Sequence, residues 1–375
     1  MTGTFALAVA TAVFSHAPAV EAVVGEYLSY FNTPHLFQPL PFVPPIVIPD
    51  ETIQDQLLEY INGAVPGSEI RGNITRIAKK NITDALVMAH LRGVRVYLVQ
   101  DGAGLDEPGS SPQGDTLHAI LGSRHKYCYL PPFVTACVSS IPGGTHHIKN
   151  WLFSATVVGG VVKAFSTWVT SYNLTRTSDK QFNDAFVVNY NRELYMAYRA
   201  SFQHFYDQQR SADFYNVAGA GHHIVPSANT EISYAPQSKP RESDDHPTND
   251  QVAMALSRID EFEPGCALKV AMLTLSDKRE AVIHQLLRIR AMGCRVQVAV
   301  SDPTEEAANQ LLAGLVELRL GRWPEASGPE YSIHSKMALY RGIYDGIRGR
   351  RMVWGGSHNW TTGSLRRRDE VFVAV

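Results

Sequence analysis

Two hydrophobic rhythms alternate along this chain, and the same succession occurs twice. Residues 66–99, PGSEIRGNITRIAKKNITDALVMAHLRGVRVYLV, read as an apolar strand, a stretch with apolar positions three and four apart, a glycine, and a second strand. Residues 264–300, PGCALKVAMLTLSDKREAVIHQLLRIRAMGCRVQVAV, repeat that order. Spacing of three and four gathers side chains on one face of a helix, and glycine ends a helix in a backbone conformation other residues resist. Each stretch therefore predicts a β-α-β unit.

The strands that follow each unit break their apolar pattern in the same places. HIKNWLFS starts at His147 and carries Lys149; YSIHSKMALY carries His334 and Lys336, with Ile333, Met337 and Leu339 for packing. Residues two apart on a strand point the same way, about 6–7 Å from one another. A single such pair describes a solvated strand face. Here each pair is followed by a serine and an asparagine, Ser171 and Asn173 in TWVTSYNLT, Ser357 and Asn359 in VWGGSHNWT. His147 to Ser171 spans 24 residues and His334 to Ser357 spans 23. An acid stands 11 residues after each asparagine, Asp184 in the first copy and Glu370 in the second. Five polar positions recurring at near-equal spacing mark a duplication with a shared site. His146 falls outside this frame and points to the opposite face, as a packing residue. His222 and His223 lie in a glycine-rich stretch, match no repeat and are assigned no chemistry.

Packed about a pseudo-twofold axis, the two copies bring two histidines, two lysines and two asparagines together. Such a pocket is cationic and rich in donors, with no carboxylate cluster for a metal. It suits a phosphodiester: lysine supplies charge, and the asparagine amides supply donors to the non-bridging oxygens. One imidazole can attack phosphorus while the other protonates the leaving oxygen, since both forms of the ring are accessible near neutral pH. The shared spacing predicts that Asp184 and Glu370 hydrogen-bond the distal ring nitrogens.

These stretches, HIKNWLFS with TSYNLT and IHSKMALYRG with VWGGSHNWTTGSLRRRDE, resemble the two H-x-K motif sets of the phospholipase D superfamily, from about residue 54 to the last. The resemblance is nearest to secreted bacterial phospholipase D-like proteins. It implies an α/β fold of two similar α/β/α-sandwich halves with the active site at their interface. It also implies a phosphohistidine intermediate, no metal or other cofactor, and hydrolysis or transfer of the phosphatidyl group to an alcohol. By carry-over His147 is the nucleophile and His334 the general acid, then base. Lys149, Lys336, Asn173 and Asn359 bind phosphate, with Ser171 and Ser357 in support. The sequence departs from the pattern at the position five after each lysine, where the superfamily often has aspartate and this chain has Ser154 and Arg341.

The expected organisation is an N-terminal strand and proline-rich arm (1–53), a first half (54–217), a connector (218–250) and a second half (251–375). FALAVATAVF, residues 5–14, is too short to span a bilayer. It is either the core of a secretory leader, although MTGT before it lacks a basic residue, or a strand. Secretion is the expected localisation and the cytoplasm the alternative. PHLFQPLPFVPPIVIPD, residues 34–50, has six prolines and cannot be a regular helix; it is read as an arm on the core. Residues 191–216 predict a long helix with Tyr195, Tyr198, Phe202 and Phe205 on its core face. The proline-bearing stretch 236–250 is read as a linker. The final strand, VFVAV, lacks the helix that follows its counterpart, which suggests truncation.

Composition adds a few limits. With 34 basic and 36 acidic residues the net charge is −2, so no global field holds a polyanion. That leans towards a phospholipid at a membrane surface, with nucleic acid as the alternative substrate and a non-catalytic phosphate-binding protein as a further rival. The chain is expected to be monomeric. Arg366, Arg367 and Arg368 fit a headgroup, a nucleic-acid backbone or plain solvation. The four cysteines form no C-x-x-C pair, suggest no zinc site, and fit two disulfides or four free thiols equally.

Overall fold

The computed structural model describes residues 25–37, 46–102, 111–131, 134–238, 247–321 and 331–375. The stretch 5–14, the centre of the proline-rich arm and much of 236–250 lie outside the described residues.

In chain order the first half contains β1 (Glu26–Asn32), β2 (His35–Phe37), β3 (Ile46–Ile48), α1 (Thr52–Asn62), β4 (Glu69–Ile74), α2 (Lys80–Leu91), β5 (Arg95–Asp101), α3 (Pro112–Leu121), β6 (His125–Cys128), β7 (Asn150–Val158), β8 (Val161–Thr170), β9 (Asn183–Asn189) and α4 (Arg192–Tyr206). The second contains β10 (His222–Val225), β11 (Thr230–Ala235), α5 (Gln251–Ser257), β12 (Ala267–Leu275), α6 (Glu280–Ala291), β13 (Arg295–Pro303), α7 (Glu305–Ala313), β14 (Glu317–Leu320), β15 (Lys336–Tyr344), β16 (Ile347–Gly356), α8 (Thr362–Arg366) and β17 (Glu370–Ala374).

Sheet one runs β1-β9-β8-β7-β4-β5-β6, and sheet two runs β10-β11-β17-β16-β15-β12-β13-β14. Six strands of each follow one plan: a parallel trio (β4-β5-β6 or β12-β13-β14) joined to an antiparallel trio (β7-β8-β9 or β15-β16-β17). The β-α-β units stand where the spacing predicts. Gly93 and Gly293 end α2 and α6 with φ of 91° and 106°, a conformation that a side chain would strain. Both hairpins turn on two left-handed residues, Gly159–Gly160 and Asp345–Gly346, as two-residue β-hairpins require. The protein is thus an α/β fold of two similar halves related by a pseudo-twofold axis.

Alternation along the strands sorts the cores. On one face of sheet one, Ile70, Leu98, Trp151, Phe153 and Trp168 pack against α1, α2 and α3. Val99, Leu152, Val169 and Val188 on the other face meet α4. In sheet two, Leu268, Val270, Val298, Ala338 and Trp354 pack against α5 and α6. The helix read over 191–216 ends at Tyr206, because Gln208 takes a left-handed conformation (φ 51°), while Tyr195, Tyr198, Phe202 and Phe205 are buried as expected. Two further differences concern boundaries. Residues 222–235, read as connector, supply β10 and β11, whose Val225, Ile232 and Tyr234 pack in the cluster that contains α4. Glu26–Asn32, within the N-terminal 1–53 read as a strand and an arm, is the edge strand of sheet one, paired along its length with β9.

The cysteines form two disulfides, Cys128–Cys137 and Cys266–Cys294, one in each half.

Candidate active site

Backbone pairing between the halves builds the site. The segment before β7 runs alongside the residue before β17: Asp369 N donates to Thr145 O, and His147 N donates to Asp369 O, both at 2.9 Å. The segment before β15 meets the residue before β9 in the same way. Phe182 N donates to Ser332 O at 3.0 Å, and His334 N donates to Phe182 O at 2.8 Å. Each H-x-K motif is therefore held by the opposite half. A side chain at the end of β5 or β13 fixes the residue before each histidine. His146 N donates to Asp101 Oδ2 at 2.6 Å, and Ile333 N donates to Ser301 Oγ at 2.7 Å.

This register sets each ring against a partner, and one of the two expected ring partners differs. His147 Nδ1 lies 2.9 Å from Glu370 Oε2, and Ser357 Oγ donates to the same carboxylate oxygen. Nδ1 thus carries the proton and Nε2 keeps its lone pair. His334 Nδ1 lies 2.9 Å from Asn183 Oδ1, not from Asp184. Asp184 instead accepts a bond from Lys336 N at 3.4 Å. The reason is a difference of one residue in loop length. Phe182 and Asp369 occupy matching places in the two bridges, so Asn183 matches Glu370. Ser171 Oγ donates to Asn183 Oδ1 at 3.1 Å and accepts from Asp184 N at 2.9 Å, just as Ser357 serves Glu370 and Val371. The equal spacing of the two acids was a coincidence of register, and sequence reasoning missed Asn183 for that reason.

The lysines are anchored alike. Lys149 Nζ donates to His147 O at 2.7 Å, and Lys336 Nζ donates to His334 O. Both are buried, as are Ser171, Ser357, Asn359, Asp184 and Glu370; Asn173 and His147 are part-buried. Asn173 Oδ1 and Asn359 Oδ1 have no hydrogen-bond partner among the described residues. Their loops are pinned from behind. Arg279 Nη1 donates to Thr361 O at 3.1 Å while its Nη2 pairs with Asp250 at 2.8 Å, and Tyr172 beside Asn173 donates to Asp179, which holds Lys79.

Burial dominates the electrostatics. It pushes the His147 ring well below its usual 6.5, with the charges of Lys149, Lys336 and Arg368 acting in the same direction. His334 is lowered in the same way, by burial first and then by Lys336, Lys149 and His147. Burial brings the Lys336 amine down to about 7 against the opposing pull of Asp184 and Glu370. Burial raises the carboxyls of Asp184 and Glu370. The arrangement is poised to gain an anion, because a bound negative charge offsets every cationic group that is now destabilised.

His146 is fully buried with Nδ1 2.9 Å from Asp369 Oδ2, and Asp369 Oδ1 accepts from Ser139 N at 2.8 Å. Cys137, His146 and Asp369 form the one group of metal-type ligands found among the described residues. They do not fit an ion: the Cys137 sulfur is in a disulfide, and the carboxylate is filled by backbone N–H groups and His146. His222 pairs with Glu231, and His223 with Ser201, away from the H-x-K bridges. Ser154 Oγ accepts from Glu69 N at 2.8 Å, and exposed Arg341 donates to Gly265 O at 2.9 Å. Five residues along a strand is about 16 Å, so neither departure from the motif enters the pocket.

Residues 265–375 match the family described as cardiolipin synthase, PLD-like domain. No curated protein matches the chain by sequence. Polyphosphate kinase from Porphyromonas gingivalis superposes with a TM-score of 0.54 at 17% identity, over 93% of this chain and 47% of the kinase, so the chain spans about half the kinase's length. Phosphatidylserine synthase from Haemophilus influenzae Rd KW20 gives a TM-score of 0.52 at 10% identity, over 86% of this chain and 79% of the synthase. Nuc, a phospholipase D family member from Salmonella typhimurium, aligns with 49% of this chain and 96% of its own at 20% identity, with a TM-score of 0.33. Residues 265–375 are thus similar to a phospholipase D-like domain, and the chain shares its fold with the kinase and the synthase.

Proposed function

We propose that the protein is a metal-independent phosphodiesterase that hydrolyses or transphosphatidylates phospholipids through a phosphohistidine. The reading is carried by the crossed pairing of His147 with Glu370 and His334 with Asn183, opposite a shared pair of lysines. His147 Nε2 attacks phosphorus and forms a P–N bond. The P–O bond to the leaving alcohol breaks, and His334 gives its proton to that oxygen. Water or an alcohol then attacks phosphorus, His334 takes its proton, and the P–N bond breaks to restore His147. Lys149, Lys336, Asn173 and Asn359 hold the non-bridging oxygens throughout.

The unequal ring partners support this division of roles. A carboxylate on Nδ1 raises the nucleophilicity of His147 and stabilises the cationic ring once Nε2 is phosphorylated. An amide oxygen orients His334 without adding charge, which keeps its proton easy to release. The near-balanced charge of the chain, 34 basic against 36 acidic residues, favours a lipid over a polyanion. Two disulfides fit secretion, since such bonds persist in oxidising compartments.

The test is to incubate the protein with phosphatidylcholine vesicles, ethanol and EDTA, and to assay phosphatidylethanol. Formation by the wild type and none by His147→Asn supports the reading. Cleavage of nucleic acid with no lipid product would move the substrate to the nuclease alternative, and absence of both would leave a binding protein.

A further inference from the structure

The pseudo-twofold register singles out one cation that the duplication does not explain. Of the three consecutive arginines, Arg366 Nη1 donates to Gln237 O at 2.7 Å and Ser238 O at 3.0 Å, and so holds the chain, while Arg367 is exposed. Arg368 is half-buried and precedes Asp369, the residue that bridges to Thr145 and His147. By the same bridge its counterpart in the first half is Gln181, whose amide is occupied with Ser332 Oγ at 3.0 Å. No hydrogen bond or ion pair engages the Arg368 guanidinium among the described residues, yet its charge is felt at His147, Lys149, Lys336 and Glu370.

Arg368 and Glu370 flank Asp369, two residues apart across the bridge, so Arg368 stands on the side where Glu370 Oε2 meets His147 Nδ1 at 2.9 Å, and it joins two lysines already tied to the H-x-K carbonyls. A phosphodiester carries a single negative charge, and the two lysines with the two asparagines suffice to bind it. A planar guanidinium with free donors is suited to a further carboxylate or phosphate, which it can grip with two parallel hydrogen bonds. We propose that Arg368 reads a second anionic group on the substrate, so that the preferred substrates are diesters carrying a carboxylate or phosphate beside the scissile phosphorus. This rests on the phosphodiesterase reading above and narrows its substrate class.

Two substrate pairs separate the sources of that anion. Phosphatidylserine differs from phosphatidylethanolamine by a carboxylate, and a thymidine dinucleotide with a 5′-phosphate differs from the same dinucleotide without one by a phosphate. The wild type should prefer the anion-bearing member of at least one pair by about tenfold or more in kcat/KM. Arg368→Gln, which installs the residue found at the matching place, should abolish the preference, and Arg368→Lys should retain part of it. Equal use of both members, or a preference that survives Arg368→Gln, overturns the proposal. Binding is measured alongside by titration calorimetry with pyrophosphate and phosphate, which needs no turnover. Pyrophosphate should bind the wild type about tenfold tighter, and the gap should close in Arg368→Gln. If no diester is cleaved, the phosphodiesterase reading falls, and the calorimetric ratio alone sustains or overturns the role of Arg368.

Discussion

The two halves use one scaffold and differ in what they place on it. In both, the residue before the last strand bridges to the other half's H-x-K segment, the lysine donates to the carbonyl of its own histidine, and a serine supports the group that orients the ring. The group itself differs: Glu370 on His147, Asn183 on His334. Duplication thus supplies geometry twice, and a few substitutions give the two rings different partners, the asymmetry on which the proposed division into nucleophile and acid rests. What should be sought in such a site is the place where the repeat breaks.

Removing either ring tests the largest effect. His147→Asn and His334→Asn should each lower kcat by a thousandfold or more, on the order of what positioned nucleophiles and acids contribute. They should still separate in one respect. A substrate with a good leaving group, such as a p-nitrophenyl diester, should rescue His334→Asn partly and His147→Asn not at all. Equal failure to rescue would break the assignment of roles. His146→Asn should leave most of kcat, because that ring faces Asp369 rather than the pocket, and should lower the melting temperature, because it is fully buried.

Exchanging the ring partners is the next step down. Glu370→Gln should reduce kcat by about a hundredfold, since the phosphorylated ring loses its counter-charge. Asn183→Glu would give His334 a carboxylate, and the basic limb of the pH profile should move up by about one unit. An unmoved limb would mean that His334 is not the proton donor.

The pH dependence of the wild type follows from the same asymmetry. On the proposed roles kcat/KM requires His334 protonated and His147 neutral, and both rings are held well below 6.5 by burial and by the lysines. Activity should therefore be greatest on the acid side of 6.5 and fall as the pH rises. Lys336, near 7, adds to the fall, because above that value it loses the charge that binds phosphate. Calorimetry of phosphate binding at neutral pH in buffers of different ionisation enthalpy should report net proton uptake. No uptake would place the Lys336 amine and both rings elsewhere on the scale.

How far these residues could be read from the sequence depends on what kind of signal each leaves. His147, Lys149, His334 and Lys336 stand out because a polar pair on an apolar strand, repeated, survives any uncertainty in loops. Asn183 does not, because Asn173 to Asn183 is 10 residues and Asn359 to Glu370 is 11. Matching by equal spacing selects Asp184, and only backbone pairing reveals the slip. The arginine run is similar: three adjacent identical residues are sorted only by which carbonyls they meet and how deeply each is buried. β10 and β11 were hidden for a different reason, since short strands such as HHIV carry too little alternation to separate from a connector. The β-α-β units, with a full helix and its glycine stop, carried enough pattern to be placed.

The smallest expected effect concerns the disulfides, and it divides stability from function. Cys128–Cys137 closes 9 residues and Cys266–Cys294 closes 28. Loop-closure entropy makes the longer bridge the stronger stabiliser, by about 1 kcal/mol. Paired serine substitutions should thus lower the unfolding free energy more at Cys266 and Cys294. The order should reverse for catalysis. Cys137 N donates to the carboxylate of Asp369, the residue whose backbone fixes His147, whereas Cys294 lies just before β13, in the core behind sheet two. Cys128→Ser with Cys137→Ser should therefore reduce kcat several-fold at a temperature where both variants are folded, while Cys266→Ser with Cys294→Ser should leave it close to wild type. If kcat instead followed stability in both pairs, the Cys128–Cys137 bridge would have no part in holding the segment whose backbone N–H groups grip Asp369.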